Sequence, residues 1–223
     1  MLVNCSITNL DGQIISVLED TTETDFIAKV DFKNLTSAYG FENDMWQSAM
    51  FRYGTINSLT LNERDETSIE SEHSMLGNEL ERRQLVSIFK QDVEQILHKP
   101  KDYSKGQYSS IWRPIVQELE ILQAYKEQKS SLYVFSDLQE NHPHWFSVYK
   151  SSDLKLLKDS PEKVRDLFLK ESMGIERHNP NIEVIVVYQP STTHQDSDFL
   201  LLKGLYASIF KELGIRISFT SKI

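Results

Sequence analysis

Residues 182–219 read IEVIVVYQPSTTHQDSDFLLLKGLYASIFKELGIRISF, and this stretch decides the fold class. The apolar run at 182–188 predicts a strand, and 215–219 predict another. Between them, residues 199–213 predict a helix that ends at Gly214, because glycine commonly terminates helices. A helix between two apolar strands is typical of a βαβ unit. The stretch therefore predicts an α/β fold with a doubly wound, mainly parallel sheet and helices on both faces.

Further strands come earlier in the chain. Residues 14–18 and 132–135 are short apolar runs bounded by polar residues, and 49–59 form a weaker run that Gly54 interrupts. The runs at 132–135 and 184–187 are continuously apolar rather than alternating. Strands that are covered on both faces have this pattern. We therefore predict that these two runs are interior strands of the sheet.

Helical periods lie between the strands. Apolar spacing predicts helices over 79–98 and 111–128, and Ser160 followed by proline predicts the start of another. Trp112 lies at the beginning of the second helix, and we expect it to pack in the core. Residues 58–78 are polar and acidic, so they predict a loop excursion.

Length and composition limit the domain count and the partners. The chain has 223 residues, 39% of them hydrophobic, and no repeat or Gly/Ser-rich linker divides it, so residues 1–223 predict a single domain. A net charge of −9 with scattered Lys and Arg argues against nucleic-acid binding. No stretch reaches the roughly 20 apolar residues of a membrane span.

Cysteine content points to a cellular compartment. Cys5 is the only cysteine, which excludes an intramolecular disulfide and fits a reducing environment, so we expect a cytoplasmic protein. Residues 2–5, however, faintly resemble the end of a lipoprotein signal. A lipoprotein or secreted form with a mis-assigned start codon therefore stays open as an alternative.

Hydroxyl and carboxylate side chains stand at the predicted ends of three elements. Asp20, Thr22 and Thr24 follow the first strand, Ser109 precedes a helix, and Asp137 follows a strand. Open α/β sheets bind ligands beyond the carboxyl ends of their strands, so we expect these residues to converge at a solvent-facing edge. Their oxygen atoms are ligands that suit Mg²⁺ or Mn²⁺.

These motifs resemble the metal-ion-dependent adhesion site of von Willebrand factor type A (VWA) domains. That site combines Asp-x-Ser-x-Ser, a Thr in a second loop and an Asp in a third. Residues 20–24 (DTTET) resemble the first element with Thr in place of Ser, 109–115 (SSIWRPI) resemble the second, and 134–137 (VFSD) resemble the third. Glu19 and Leu138 depart from the family, which usually has an apolar residue and a glycine there.

The resemblance covers the chain from about residue 14 onward and implies a protein-interaction module. Thr22, Thr24 and Ser109 would contact the cation directly, while Asp20 and Asp137 would act in support. Because few carboxylates would neutralise the cation, it would accept an acidic side chain of another protein.

Each piece also has a simpler interpretation. Asp20 and Thr22 are suited to capping a helix that starts near residue 25, Ser109 is suited to capping the next helix, and Asp137 is suited to starting a turn. The sequence offers no persuasive catalytic set, so an enzyme is not the leading hypothesis. Two alternatives stay open: a Mg²⁺-dependent hydrolase that uses Asp20 and Asp137, and a metal-free scaffold within a larger assembly.

Overall fold

The computed structural model describes residues 12–22, 28–56, 64–101 and 108–223. Within these ranges the chain forms six strands and six helices. In chain order they are β1 (Gly12–Asp20), α1 (Phe32–Ser37), β2 (Ser48–Ile56), β3 (Arg64–Ile69), α2 (Glu79–His98), α3 (Trp112–Leu122), β4 (Lys129–Phe135), α4 (Ser151–Asp159), α5 (Pro161–Glu171), β5 (Ile182–Val187), α6 (Thr193–Leu213) and β6 (Arg216–Thr220).

The six strands form one sheet in the order β3-β2-β1-β4-β5-β6. Neighbouring strands run parallel, except that β3 is antiparallel to β2. From β1 the chain adds strands in one direction, and from β4 it adds them in the other, so the strand order reverses between β1 and β4. This confirms the predicted doubly wound, mainly parallel sheet, and ligands of such sheets bind at the point of reversal.

The two runs predicted as interior strands are interior. β4 lies between β1 and β5, and β5 lies between β4 and β6. The weaker run became β2, and Gly54 lies within it. A Cβ at Gly54 would lie 3.2 Å from a Leu18 side-chain carbon, which is tighter than ordinary contact. Glycine thus allows β1 and β2 side chains to pack closely without breaking β2.

Helices cover both faces of the sheet, as predicted. The side chains of a strand alternate between faces, so Ile14 and Leu18 pack into one core cluster while Ile15 and Val17 pack into the other. The first cluster includes residues of α3, α5 and α6, and the second includes residues of α1 and α2. The sheet is therefore the middle layer of three.

Trp112 lies in the core, as expected. Its side chain is fully buried, and the indole Nε1 donates a hydrogen bond to the Phe168 carbonyl oxygen at 3.0 Å. Its ring contacts the rings of Phe168, Tyr206 and Phe210 at centroid distances of 5.6–5.8 Å. The first turn of α3 is thereby anchored to α5 and α6.

Three sequence boundaries need correction. Part of the predicted 58–78 loop forms β3, because an edge strand can gain its stability from backbone pairing while its side chains stay polar. The helix predicted over 111–128 ends at Leu122. α6 begins at Thr193, six residues before the predicted start, because Thr192 and Gln195 form a reciprocal capping box. Gly214 ends α6 with a left-handed backbone, φ 69°, as predicted.

No helix in the described ranges is both long enough and apolar enough to cross a membrane.

Candidate functional site

The site lies where β1 and β4 end side by side. Asp20 is the last residue of β1, and its Oδ1 accepts hydrogen bonds from the Thr22 backbone N–H at 3.0 Å and the Thr22 hydroxyl at 2.6 Å. The other carboxylate oxygen, Oδ2, accepts from the Ser136 hydroxyl at 3.0 Å. Ser136 directly follows β4. One carboxylate thus links the two strand ends at which the strand order reverses.

The hydroxyl groups of Thr22 and Ser136 both donate their hydrogen atom to Asp20. A hydroxyl has one hydrogen to donate and two lone pairs with which to accept. Ser136 uses one lone pair to accept from the Leu138 backbone N–H at 2.9 Å. Sequence reasoning identified Thr22 but missed Ser136 as a site residue, although Ser136 directly precedes Asp137.

Asp137 lies next to this link. Its Oδ1 accepts a hydrogen bond from the Gln139 backbone N–H at 2.9 Å, which is the turn geometry of the simpler interpretation. Asp20 is 3% exposed and Asp137 is 5% exposed. The expectation that these acids face solvent is therefore wrong. The segment after β4 pairs with the residues before α3, because Asn141 forms one β-bridge to Ser109 and another to Ser147.

The residues before α3 join the site through that segment. Ser109 is 8% exposed, and its backbone N–H donates to the Asn141 carbonyl at 3.2 Å while the Asn141 N–H donates back at 2.9 Å. Ser110 is 1% exposed, and its hydroxyl has no hydrogen-bond partner within the described ranges. Thr24, the remaining predicted ligand, lies outside the described residues.

Glu140 is the most unusual residue of the site, and sequence reasoning missed it. Its side chain is fully buried, and Oε2 accepts hydrogen bonds from the backbone N–H groups of Ile111 and Trp112, both at 2.8 Å. The N-cap residue of α3, Ile111, offers no side-chain cap. Glu140 therefore caps α3 from a different loop, where a negative charge also favours the positive end of the helix dipole.

The environment of Glu140 disfavours the ionised form of its carboxyl group. The pKa of Glu140 is raised to about 7, mainly because burial disfavours the charged form and partly because Asp20 is near, while the N–H groups of Trp112 and Ile111 oppose the shift. The Ser110 hydroxyl is near enough to lower this pKa, although it forms no hydrogen bond of normal geometry. Glu140 is therefore a carboxyl group that changes its protonation near neutral pH.

Polar atoms without partners collect around the same carboxyl group. In the described part of the chain, neither Glu140 Oε1 nor the Tyr206 hydroxyl of α6 has a hydrogen-bond partner. Burial raises the pKa of Tyr206, and the charges of Glu140, Asp137 and Asp20 raise it further, so all three acids act on this hydroxyl. Buried polar atoms are nearly always hydrogen-bonded, and exceptions call for a bound water, an ion or a functional role.

The backbone at Leu138 adopts φ 65°. That left-handed conformation is one that glycine adopts freely and a leucine adopts at a cost of about 1–2 kcal/mol. It occurs at the position where the VWA motif commonly has glycine. Here the leucine side chain is fully buried in the core, and this burial offsets the backbone strain.

A metal site made only of acids, histidines and cysteines is not present in the described ranges, because no three such residues are grouped to hold an ion. The available oxygen donors are instead a mixture of hydroxyls and carboxylates, which is the chemistry that hard divalent cations accept. The donor set thus fits Mg²⁺ or Mn²⁺ only if hydroxyls such as that of Thr22 participate.

No family model and no curated protein matches this chain. Among solved structures, the human COPII-coat protein Sec24c is similar with a TM-score of 0.37 and 12% sequence identity. The similarity covers 96% of this chain and 29% of the Sec24c chain, so the present chain spans less than a third of that protein. A similarity this remote carries no argument about function, and the functional conclusion has to come from the site.

Proposed function

We propose that this chain is a VWA-like protein-interaction module that binds Mg²⁺ or Mn²⁺ at the C-terminal edge of its sheet. Through that cation it would bind an acidic side chain of a partner protein. The observation that carries the proposal is the link at the point of strand reversal, where the hydroxyls of Thr22 and Ser136 both donate to Asp20.

That link favours hydroxyls as direct ligands. Because the Thr22 proton is engaged by Asp20, the lone pairs of this hydroxyl are the groups left to meet a cation. Thr24 and Ser109 are the other proposed direct ligands, on the strength of the sequence resemblance. Asp20 and Asp137 would support them, mainly through water.

The buried polar atoms nearby are a second line of support. Within the described residues, the Ser110 hydroxyl, Glu140 Oε1 and the Tyr206 hydroxyl form no hydrogen bond of normal geometry, and they lie beside an otherwise apolar core cluster. Buried water molecules that bridge to an ion would satisfy such atoms.

The cation would supply an open coordination position for a carboxylate. Asp20 accepts hydrogen bonds from Thr22 and Ser136, and Asp137 accepts one from Gln139, so neighbouring donors partly neutralise each carboxylate. A dication supported in this way keeps excess positive charge and attracts an acidic partner.

The cytoplasmic location, the single-domain organisation, the lack of nucleic-acid binding and the hydrolase and scaffold alternatives stay predictions from sequence.

Electron paramagnetic resonance of Mn²⁺ tests the proposal directly, because bound Mn²⁺ loses its sharp solution signal. Chelator-treated protein should bind one Mn²⁺ with a Kd of about 1 mM or below, and Mg²⁺ should compete. Thr22→Val removes one hydroxyl at nearly constant shape and should weaken binding about tenfold.

Thr67→Val is the matched control, because the Thr67 hydroxyl also donates to an aspartate, Asp92, at 3.3 Å but lies on the edge strand β3. This variant should bind Mn²⁺ normally. Equal Mn²⁺ binding by the Thr22 and Thr67 variants would contradict the assignment of the site, and no binding by the unaltered protein would contradict the proposed function.

A further inference from the structure

An exposed apolar surface lies at the start of α2, and it shares no residue with the cation site. Met75, Leu76 and Leu80 are 94%, 88% and 76% exposed. We call these three residues the apolar knob. Single exposed apolar residues are ordinary, whereas several exposed close together are the kind of surface that marks an interaction site, and these three lie within six residues of the chain.

The turn that carries the apolar knob is held in place. The N–H groups of Leu76 and Gly77 both donate to the His73 carbonyl, at 3.0 and 2.9 Å. The ring of Trp46 lies against Gly77 so closely that a Cβ there would be 2.2 Å from it. The turn therefore requires glycine at this position, and the indole of Trp46 supports it.

Arg82 fixes the base of the same turn. Its fully buried guanidinium donates to the carbonyl oxygens of Met45, Gln47 and Glu70 at 2.6–2.7 Å, so it joins the segment before β2 to the segment after β3. A surface that is ordered before binding loses less entropy when a partner arrives. The apolar knob is thus exposed and preorganised.

The charges around the apolar knob are acidic. Glu79 and Glu81 flank Leu80 in the first turn of α2, and Glu72 lies beside Gly77, where its carboxylate would be 3.2 Å from a Cβ. Residues 70–83 contain four glutamates and two arginines; Arg83 pairs with Glu79 at 2.7 Å, and the buried Arg82 lies 3.8 Å from Glu72. A partner that covers the apolar knob therefore meets an excess of negative charge.

We propose that the apolar knob is a docking site for a basic amphipathic helix of a partner protein. The apolar face of such a helix covers Met75, Leu76 and Leu80, and its Lys or Arg residues meet Glu72, Glu79 and Glu81. A second copy of this chain is a poor occupant, because two copies that meet through this surface would oppose like charges on a chain of net charge −9.

Fluorescence anisotropy of a labelled synthetic peptide tests this inference. The probe is a helical peptide of about 14 residues built from Leu and Lys, with all Leu on one face. The matched peptide has Glu in place of every Lys. The unaltered protein should bind the Lys peptide at concentrations below about 100 µM, bind it less well in high salt, and not bind the Glu peptide.

Two variants separate the apolar and charged contributions. The triple change Met75→Ser, Leu76→Ser and Leu80→Ser keeps the charge and should weaken Lys-peptide binding at least about tenfold. The double change Glu79→Gln and Glu81→Gln should weaken it several-fold and reduce its salt dependence. Met173→Ser with Leu200→Ser is the matched control at other exposed apolar positions, 86% and 55% exposed, and should bind as the unaltered protein does.

All positions changed in these variants are exposed, and melting curves check that each variant folds. Equal Lys-peptide binding by the triple variant and the unaltered protein overturns the inference, since binding would then be a general effect of negative charge. Dimerisation of the unaltered protein that the triple variant abolishes, measured by sedimentation, also overturns it in favour of a second copy. Neither result bears on Mn²⁺ binding at the sheet edge.

Discussion

Glu118 and Glu140 are both buried, the first within α3 and the second at the N-terminal end of α3, and they differ in the groups that surround their carboxylates. Glu118 lies within α3 and is 1% exposed. Its Oε1 accepts from the Ser16 hydroxyl at 2.9 Å and from Arg52 Nε at 2.6 Å, and its Oε2 pairs with Arg64. Both oxygens are satisfied, and two guanidinium groups surround the charge.

Glu140 presents the opposite case. One oxygen caps α3, the other has no hydrogen-bond partner in the described ranges, and the nearby carboxylate of Asp20 carries the same sign. A buried charge is costly unless it is paired, so a cluster that serves only stability should resemble that of Glu118. This difference supports the proposal that the sheet edge, rather than the Glu118 cluster, contacts a group from outside the chain.

Breaking the Glu118 cluster should have a large effect on stability. Glu118→Gln removes the counter-charge of Arg64 and leaves Arg52 with only the exposed Glu66, and should lower the free energy of unfolding by about 3–5 kcal/mol. Glu66→Gln is the control, because Glu66 also pairs with Arg52 but its side chain is 61% exposed. That change should cost less than about 1 kcal/mol in urea denaturation. Similar losses in the two variants would contradict the central role of Glu118.

Trp112 connects the two regions, because its N–H donates to Glu140 while Glu118 lies further along the same helix. Trp112→Ala should lower the free energy of unfolding by about 3–5 kcal/mol through loss of a fully buried side chain. The neighbouring exposed Arg113 gives a control, and Arg113→Ala should change stability by less than about 1 kcal/mol. Unchanged thermal stability of the Trp112 variant would show that this packing does not hold α3.

Glu140 should make stability fall as pH rises toward and through neutrality. The pKa of Glu140 is raised from 4.5 to about 7, so the folded state binds a proton more tightly than the unfolded state does. Its contribution to stability is full below about pH 4.5 and is lost as pH rises through 7. Relative to Glu140→Gln, the unaltered protein should lose about 2–3 kcal/mol between pH 5 and pH 8.

Urea denaturation of the two proteins across this pH range measures the effect, and the difference between them removes the contribution of all other titrating groups. A difference that stays constant from pH 5 to pH 8 would show that Glu140 does not change its protonation there. If the unaltered protein instead gained stability relative to Glu140→Gln between pH 5 and pH 8, folding would lower the pKa of Glu140 rather than raise it.

The fold was readable from sequence where burial leaves a local pattern. The unbroken apolar runs of β4 and β5 and the glycine at 214 are of this kind. β3 was missed because its residues, RDETSI, are mostly polar, and only pairing with β2 makes them a strand. In physical terms, a strand at the edge of a sheet is specified by its neighbour more than by its own side chains.

The site was partly readable for the same reason. Asp20 and Thr22 are two residues apart, so their contact is local and the motif reveals it. Glu140 meets α3 across a separation of 28 residues, and Asn141 pairs with Ser109 across 32 residues of chain. No short sequence pattern encodes such contacts, so the sequence did not identify Glu140 as a site residue.

The response of thermal stability to cations tests the central claim most directly. A cation that binds only the folded state stabilises it by mass action, and about 10 mM Mg²⁺ or Mn²⁺ at a Kd near 1 mM gives about 1–2 kcal/mol. Melting curves with and without chelator should therefore differ by about 2–6 °C. Because Asp20 and Asp137 are buried and hydrogen-bonded, Asn replaces them better than Ala.

The double variant Asp20→Asn, Asp137→Asn should fold and show no cation-dependent shift. Asp92→Asn, which changes the partner of Thr67, is the matched control and should keep the full shift. A chelator-sensitive rise in melting temperature that the double variant alone loses is the predicted result. Melting curves of the unaltered protein that do not change with Mg²⁺ or Mn²⁺, or an equal rise in the double variant, would contradict a cation site at this edge of the sheet.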